Sequence, residues 1–383
     1  MNSRRKCPVC DSANSNPVYD NKLAPIGGHQ FSNVITVCNE CCFSFAERLA
    51  DQEVYSEYYT NLSKYDVIGA AISPVDKLRV SAGVGLVSRF AGNEAKIVDI
   101  GCGNCALLGA LKDQGYQRLI GIDQAKNCTE RALIYGIEDV NRGSVVDFDL
   151  SLVGDADVVL VMAVLEHLLT PKSSIKRVVS GMKVGAKLII EVPSLARFDG
   201  VNGEPFGEFS LEHLQFFSLT SLTNLAVGLN IKLVAHYDLD LPSSLGSLFA
   251  VFERTSEVFS ELQDARSDAV SVKKYIDDSK AKLDLCLENL VDRSIILYGA
   301  GAHSGRLLPL LAQKQVHVRA IVDGNPNYQG ETLGDLEIKD PAIISGMPDT
   351  PLLISSFRSE SAIKAFCAER FANRIISFYE NDT

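Results

Sequence analysis

The stretch from Lys96 to Asp123, K-I-V-D-I-G-C-G-N-C-A-L-L-G-A-L-K-D-Q-G-Y-Q-R-L-I-G-I-D, constrains the fold of this chain more than any other. Ile97, Val98 and Ile100 are β-branched and run into a turn that carries Gly101 and Gly103. Ala106 to Lys112 has helical composition, and Leu119 to Ile122 is apolar again. A strand, a glycine turn, a helix and a second strand are therefore predicted. Glycines there let the backbone come close to a ligand, and the exposed N–H groups of the following helix face the same place.

The neighbouring acids help to choose the ligand. Gly101-Cys-Gly103-Asn-Cys-Ala106 has the outline of a dinucleotide fingerprint, with Asp123 about 20 residues further on to hold ribose hydroxyls. Asp99, however, stands just before the first glycine, where a carboxylate would lie close to a negative pyrophosphate. A carboxylate at that point suits a ligand with a cationic amino-acid part and no phosphate, which describes S-adenosylmethionine. Asp99-Ile-Gly101-Cys-Gly103 resembles the first motif of the class I methyltransferases, an acid, one residue, then Gly-x-Gly. The resemblance implies a Rossmann-like core with Asp99, Gly101, Gly103 and Asp123 around the cofactor.

Strands and helices continue to alternate after Asp123, as a doubly wound parallel sheet requires. Cys128 to Tyr135 reads as a helix, Val140 to Val146 contains a short strand, and Asp157 to Met162 is a buried strand. Asp147 is placed to meet the adenine amino group, or is an exposed loop acid. Ligands of such sheets bind outside the carboxyl ends of the strands, which puts Met162 to His167, Ala163 included, at the cofactor's edge. Glu166-His167-Leu168 resembles the same superfamily; His167 either carries a proton or, with Glu166, shapes the pocket. Leu188 to Val192 is the next strand, closed by Pro193.

With 383 residues the chain has room for two to three domains, at roughly 100–200 residues each. Its 37 basic and 48 acidic residues leave a net charge of −11, which argues against nucleic acid as a partner. The start, M-N-S-R-R-K-C-P-V-C, has no apolar leader region, and no later run approaches the ~20 apolar residues of a membrane span. A cytoplasmic protein with no membrane partner is expected, and its ten cysteines read as ligands or buried thiols rather than disulfides.

Cys7-Pro-Val-Cys10 and Cys38-Asn-Glu-Cys41 are two C-x2-C pairs, each able to present two thiolates to one tetrahedral ion from a tight turn. Cys7, Cys10, Cys38 and Cys41 thus form a candidate structural zinc site, with a strand pair expected between the knuckles near Gln30 to Val37. Cys42 and His29 are competing ligands that give no matched pair. Four cysteines leave no open position for water, so a structural role is expected. Tyr55, Tyr58, Tyr59 and Tyr65 follow; tyrosines offer flat apolar area and a hydroxyl, either as a sugar- or base-facing wall or as a helix docked on the main domain.

Ser194 to Glu208 is a polar, glycine-rich loop long enough for a lid, and Phe209-Ser-Leu-Glu212-His213-Leu-Gln-Phe-Phe217-Ser218 comes next, ahead of a helix from Leu219 to Gly228. An imidazole titrates near neutral pH and a neighbouring carboxylate raises its basicity, so His213 with Glu212 is the candidate general base, unless the two only pin the loop. Ser256 to Lys280 reads as a long linking helix or helix pair. Then Ser294 to Tyr298 (strand), Gly299-Ala-Gly301-Ala-His303-Ser-Gly305 (glycine turn), Arg306 to Ala312 (helix) and Val318 to Val322 (strand, ending in Asp323) open a second nucleotide-fold unit. No acid precedes these glycines, so phosphate is acceptable at the helix N-terminus. The unit either binds a diphosphate or is a vestigial half-Rossmann domain that closes the substrate cleft.

Two C-x2-C knuckles, a tyrosine-rich segment, a methyltransferase core, an E-H-x-x-F-F-S element and a terminal glycine turn, in that order, resemble the deoxysugar C-methyltransferases that act on nucleotide-diphosphate keto sugars. The likeness covers nearly the whole chain. Its most specific match is Val322-Asp323-Gly-Asn325-Pro326-Asn-Tyr-Gln329-Gly330, against V-D-x-N-P-x-K-Q-G in the family. The expected architecture is α/β: a zinc-binding domain over 1–65, a Rossmann-like methyltransferase core over 66–245, a helical linker over 246–292 and a half-Rossmann domain over 293–383.

The resemblance implies carbon methylation of a nucleotide-linked keto sugar, with His213 as base, Glu212 orienting it, Tyr55, Tyr58 or His167 as donor to the enolate, and Gly301, His303 and Asp323 at the nucleotide. Departures run the other way. The family's Y-H-E-H-x-x-Y-F-S is met by Ser210 and Leu211 where its tyrosine and histidine stand, and His303 replaces a lysine of the terminal turn. O- or N-methylation of another small molecule and a cofactor-binding zinc module without turnover are the alternative readings.

Overall fold

A computed structural model of the chain describes residues 5–50, 73–125, 127–241, 246–288 and 290–379. At the N-terminus Ser15–Asn21 (β1), Asn33–Cys38 (β2) and Ser44–Glu47 (β3) form an antiparallel meander. The strand pair therefore starts at Ser15, earlier than expected. The chain between β1 and β2 leaves the sheet for the C-terminal part of the molecule: Ala24 N–H donates to Gly305 O and Gly27 N–H to Thr332 O, both at 2.8 Å.

Pro74–Phe90 (α1) opens with proline at its first turn and with Ser73 as cap, whose hydroxyl accepts from Asp76 N–H at 3.1 Å. Lys96–Ile100 (β4), Ala106–Asp113 (α2), Arg118–Asp123 (β5), Cys128–Ile134 (α3) and Val140–Arg142 (β6) follow. Val158–Met162 (β7), Pro171–Gly181 (α4) and Lys187–Pro193 (β8) come next. After Gln215–Phe216 (β9) and Leu219–Ala226 (α5), the hairpin Ile231–Leu239 (β10) and Ser247–Arg254 (β11) completes the main sheet.

That sheet has the order β10-β11-β8-β7-β4-β5-β6, with β11 antiparallel to both its neighbours and the other pairings parallel. Its inner strands, I-V-D-I, V-V-L-V-M and L-I-I-E-V, are almost continuously apolar, as parallel strands covered on both faces must be. From β4 the chain steps outward to β5 and β6, then returns to β7 on the other flank of β4. The order reverses there, and the crevice outside those carboxyl ends is where α/β sheets bind ligands. The short β9 pairs with β3, Ser44 opposite Phe216, so the N-terminal sheet takes its fourth strand from the loop after β8.

The linking helix is Arg266–Glu288 (α6), not Ser256 to Lys280. Residues 256–265 stay irregular because their backbone is spoken for: Gln263 N–H donates to Asn224 Oδ1 at 2.7 Å, Asn224 Nδ2 donates to Gln263 O at 3.0 Å, and Gly228 N–H donates to Phe259 O at 2.9 Å. Val272, Tyr275, Ile276, Ser279, Leu283 and Leu287 form the helix's buried stripe.

Ser294–Tyr298 (β12), Ala302–Gln313 (α7), His317–Val322 (β13), Thr332–Leu333 (β14), Leu336–Lys339 (β15), Leu352–Ile354 (β16), Glu360–Arg370 (α8) and Ile375–Ser377 (β17) build a third sheet, ordered β14-β15-β13-β12-β16-β17. Here the order reverses between β12 and β16. One apolar cluster runs from Phe31 through Phe206, Phe209 and Tyr275 to Leu297 and Leu307, joining all three parts. Tyr19 stacks on Phe206 at 4.5 Å and Phe209 meets Tyr275 edge-on at 5.2 Å, pairs worth about 0.5–1.5 kcal/mol each beyond their buried area. Among the described residues no helix is long and apolar enough to cross a membrane.

Candidate active site

Behind β4 the chain takes positive φ at Gly101 (83°) and Gly103 (53°). A Cβ on Gly101 would collide with Val164 Cγ2, so the loop after β7 closes directly on the turn. Asp123, at the end of β5, accepts from Gly103 N–H at 2.9 Å and from Ala125 N–H at 2.8 Å, tying the turn to the next strand. Asp99 is 3 % exposed and its Oδ1 has no hydrogen-bond partner among the described residues. Burial, and after it the charge of Asp123, pushes its carboxyl up to about 7. An ammonium group placed there would satisfy the oxygen and restore the carboxylate.

The other two expected cofactor residues lie in the loops after β7 and β6. Ala163 takes φ 51° immediately after β7, its N–H donating to Glu191 O at 3.0 Å. Asp147 lies beyond β6, where its Oδ1 accepts from Ser144 N–H at 2.6 Å and from the Ser144 hydroxyl at 2.8 Å. Those two bonds hold its carboxyl below the ordinary range.

On the other side of the β7 end, two stretches far apart in sequence meet. Leu214 N–H donates to Glu166 O at 2.8 Å, which with the β3–β9 pairing pins the loop bearing Glu212 and His213 against the short turn Leu165–His167. His167 Nδ1 is 2.9 Å from the main-chain oxygen of Glu212, and the two imidazoles, His167 and His213, have ring centroids 5.2 Å apart. A carbonyl only accepts, so Nδ1 carries the hydrogen. It is the backbone of Glu212 that orients His167. Ser210 Oγ accepts from Glu212 N–H at 3.3 Å and His213 N–H at 3.1 Å, while Leu211 is buried. The serine that stands in place of a tyrosine serves the turn.

Residues 79–236 match the protein family described as "Methyltransferase domain". The chain carries a methyltransferase domain. No curated protein matches the sequence. Solved structures similar to it include 1,6-didemethyltoxoflavin-N1-methyltransferase from Burkholderia thailandensis, at 16% identity and TM-score 0.43, covering 57% of this chain and 98% of that one. N-methyltransferase NodS from Bradyrhizobium japonicum is 18% identical with TM-score 0.41, over 52% of this chain and 97% of its own. Magnesium protoporphyrin IX methyltransferase from Synechocystis is 15% identical with TM-score 0.41, over 54% of this chain and 99% of its own.

The methyltransferase domain also holds charged groups that sequence reasoning missed. Arg79 of α1 forms a two-pronged ion pair with Glu191 of β8, Nε to Oε1 at 2.9 Å and Nη2 to Oε2, and Ser247 Oγ–H donates to the same carboxylate. An acid inside the apolar run L-I-I-E-V was the available signal. Glu208, in the loop after β8, is buried with Oε2 unpartnered among the described residues; burial pushes its carboxyl up to about 8.

Outside the methyltransferase domain, Cys7, Cys10, Cys38 and Cys41 converge, with Sγ–Sγ separations of 3.6 Å (Cys7 to Cys41) and 3.5 Å (Cys10 to Cys38). A tetrahedron with bonds of about 2.3 Å has edges of about 3.8 Å, so the donor set is compatible with zinc. Cys42 and His29 are not part of this cluster. In the terminal unit, Asp323 accepts from Ala300 N–H and Asn325 N–H, both at 2.8 Å, next to Gly299 and Gly301. His303 is buried, its Nε2 engaged with the Tyr379 hydroxyl, and burial pulls its pKa down. Tyr328, from the Asp323–Gly330 segment, has its phenol pushed up by burial and then by the charges of Asp323 and Glu212. Tyr55 and Tyr58 lie outside the described residues.

Proposed function

We propose that the protein methylates a carbon next to the ketone of a nucleotide-diphosphate-linked deoxysugar, using S-adenosylmethionine. The observation that carries this reading is the meeting of His167 and His213, 5.2 Å apart, at the edge of the crevice that begins with Asp99 and Gly101. S-adenosylmethionine, when bound, supplies an electrophilic methyl group on sulfur. Asp99 takes its ammonium end, Gly101, Gly103 and the Ala163 turn let the backbone approach it, Asp123 takes the ribose hydroxyls and Asp147 the adenine.

A carbon beside a ketone becomes nucleophilic only after losing a proton, so His213 acts as base, oriented by Glu212. The donor to the enolate oxygen is Tyr55, Tyr58 or His167, and His167 serves only as imidazolium because its Nδ1 hydrogen is held by Glu212. The nucleotide lies at the reversal between β12 and β16, against Gly301 and Asp323, with His303 contributing through its main chain. The four cysteines hold a structural zinc ion.

Incubation with S-adenosylmethionine and keto-deoxysugars linked to dTDP, UDP or GDP tests this directly. The expected result is S-adenosylhomocysteine formation with a new carbon-bound methyl in the sugar, abolished by His213→Gln with cofactor affinity unchanged. Turnover confined to acceptors with a reactive oxygen or nitrogen would overturn it. That second reading has its own support in Ser210 and Leu211, which offer the cleft neither the hydroxyl nor the imidazole expected there.

A further inference from the structure

Glu166, His167 and His213 each present a ligand atom within 4.8 Å of the others. The bonding around them is unbalanced. His167 Nδ1 carries the hydrogen it donates to Glu212 O, which leaves a lone pair on Nε2 whenever the ring is neutral. Facing that lone pair at 3.7 Å is Glu166 Oε1, a second acceptor. Glu166 is 2 % exposed, and its other oxygen, Oε2, has no hydrogen-bond partner among the described residues. Two acceptors turned towards each other, one of them buried, call for a proton or a cation between them. Arg79, whose charge is felt at Glu166, is engaged by Glu191.

We infer that Glu166, His167 and His213 form a site for one first-row divalent cation, separate from the four-cysteine cluster. Two imidazoles and one carboxylate are a donor set for such ions. A backbone carbonyl on the remote nitrogen of His167 is the outer contact that fixes a ligating imidazole's tautomer. Cation binding engages the same side chain that the proposed proton transfer needs, so the filled site is the inactive state of the enzyme; this consequence rests on the base assignment above.

The test uses the full chain with its cysteine site filled by zinc, titrated with Co2+ and followed by visible absorption. The expected result is one further cobalt per chain, with d–d bands and no thiolate-to-cobalt charge transfer. Glu166→Gln and His213→Gln should each weaken it at least about tenfold, the lower end of what even an outer-shell contact contributes. Absence of the extra site in the unaltered protein, or its persistence in both variants, overturns the inference and leaves the base assignment standing. Cobalt that binds at this site yet leaves methyl transfer intact upholds the site and removes His213 from the role of base.

Discussion

Arg79 and Glu191, 112 residues apart in the chain, form a two-pronged ion pair that fastens α1 to the carboxyl end of β8. Glu191 has a side chain only 1% exposed, so the pair sits where an unpaired charge is costly. Arg79→Met should destabilise the fold by about 3 kcal/mol, the low end for breaking a buried pair because the guanidinium keeps some solvent. Replacing both residues by methionine should cost less than the single change. Denaturant unfolding of the three proteins checks it.

Asp99 makes the apo protein sensitive to pH. Its folded carboxyl, at about 7, lies above the 3.8 that an aspartate has in an unfolded chain. Folding therefore takes up a proton between those values, and stability falls as pH rises from about 4 to about 7. The loss is on the order of a few kcal/mol at about 1.4 kcal/mol per unit. Asp99→Asn should flatten that part of the profile. Binding of S-adenosylhomocysteine near pH 6 should release a proton from wild type and none from the variant, as read by calorimetry in buffers of different ionisation enthalpy.

Gly101→Ala combines two penalties, a φ of 83° that disfavours a side chain by about 1–2 kcal/mol and a collision with Val164. Cofactor affinity should drop at least tenfold. Adding Val164→Ala should recover the part owed to collision and none of the part owed to φ. Thermal shift with and without S-adenosylhomocysteine separates the two.

Metal removal should reach beyond the cysteines. Chelation of the proposed zinc, or Cys38→Ser, should loosen β1 to β3 and with them β9, which pairs with β3. Hydrogen exchange at Gln215 and Phe216 should rise together with exchange in residues 34–38. Unchanged protection at β9 would uncouple the two regions.

What could be read in the sequence is what is local. The glycine turn, Asp99 and Asp123 lie within one strand-turn-helix-strand unit, and each C-x2-C pair lies within one turn, so spacing alone announces them. The linking helix was legible as an apolar stripe, but its start was not, because Asn224 pins residue 263 from outside the segment. Long-range pairings leave no periodic trace. Glu166 meets His213 only because a two-residue strand joins a sheet begun more than 150 residues earlier. Arg79 and Glu191 each look ordinary in isolation, and Glu208 becomes unusual only once the loop after β8 folds against Tyr275 of α6 and buries it.

The N-terminal sheet borrows its last strand from the segment that bears Glu212 and His213. Grafting residues 1–50 from a relative onto this chain, a swap that modular architecture invites, would therefore rewrite the surroundings of the proposed base as well as the four-cysteine cluster. In such chimeras acceptor preference should travel with the donor of the first fifty residues, and natural exchange at that boundary should be rare unless the β9 segment moves with it.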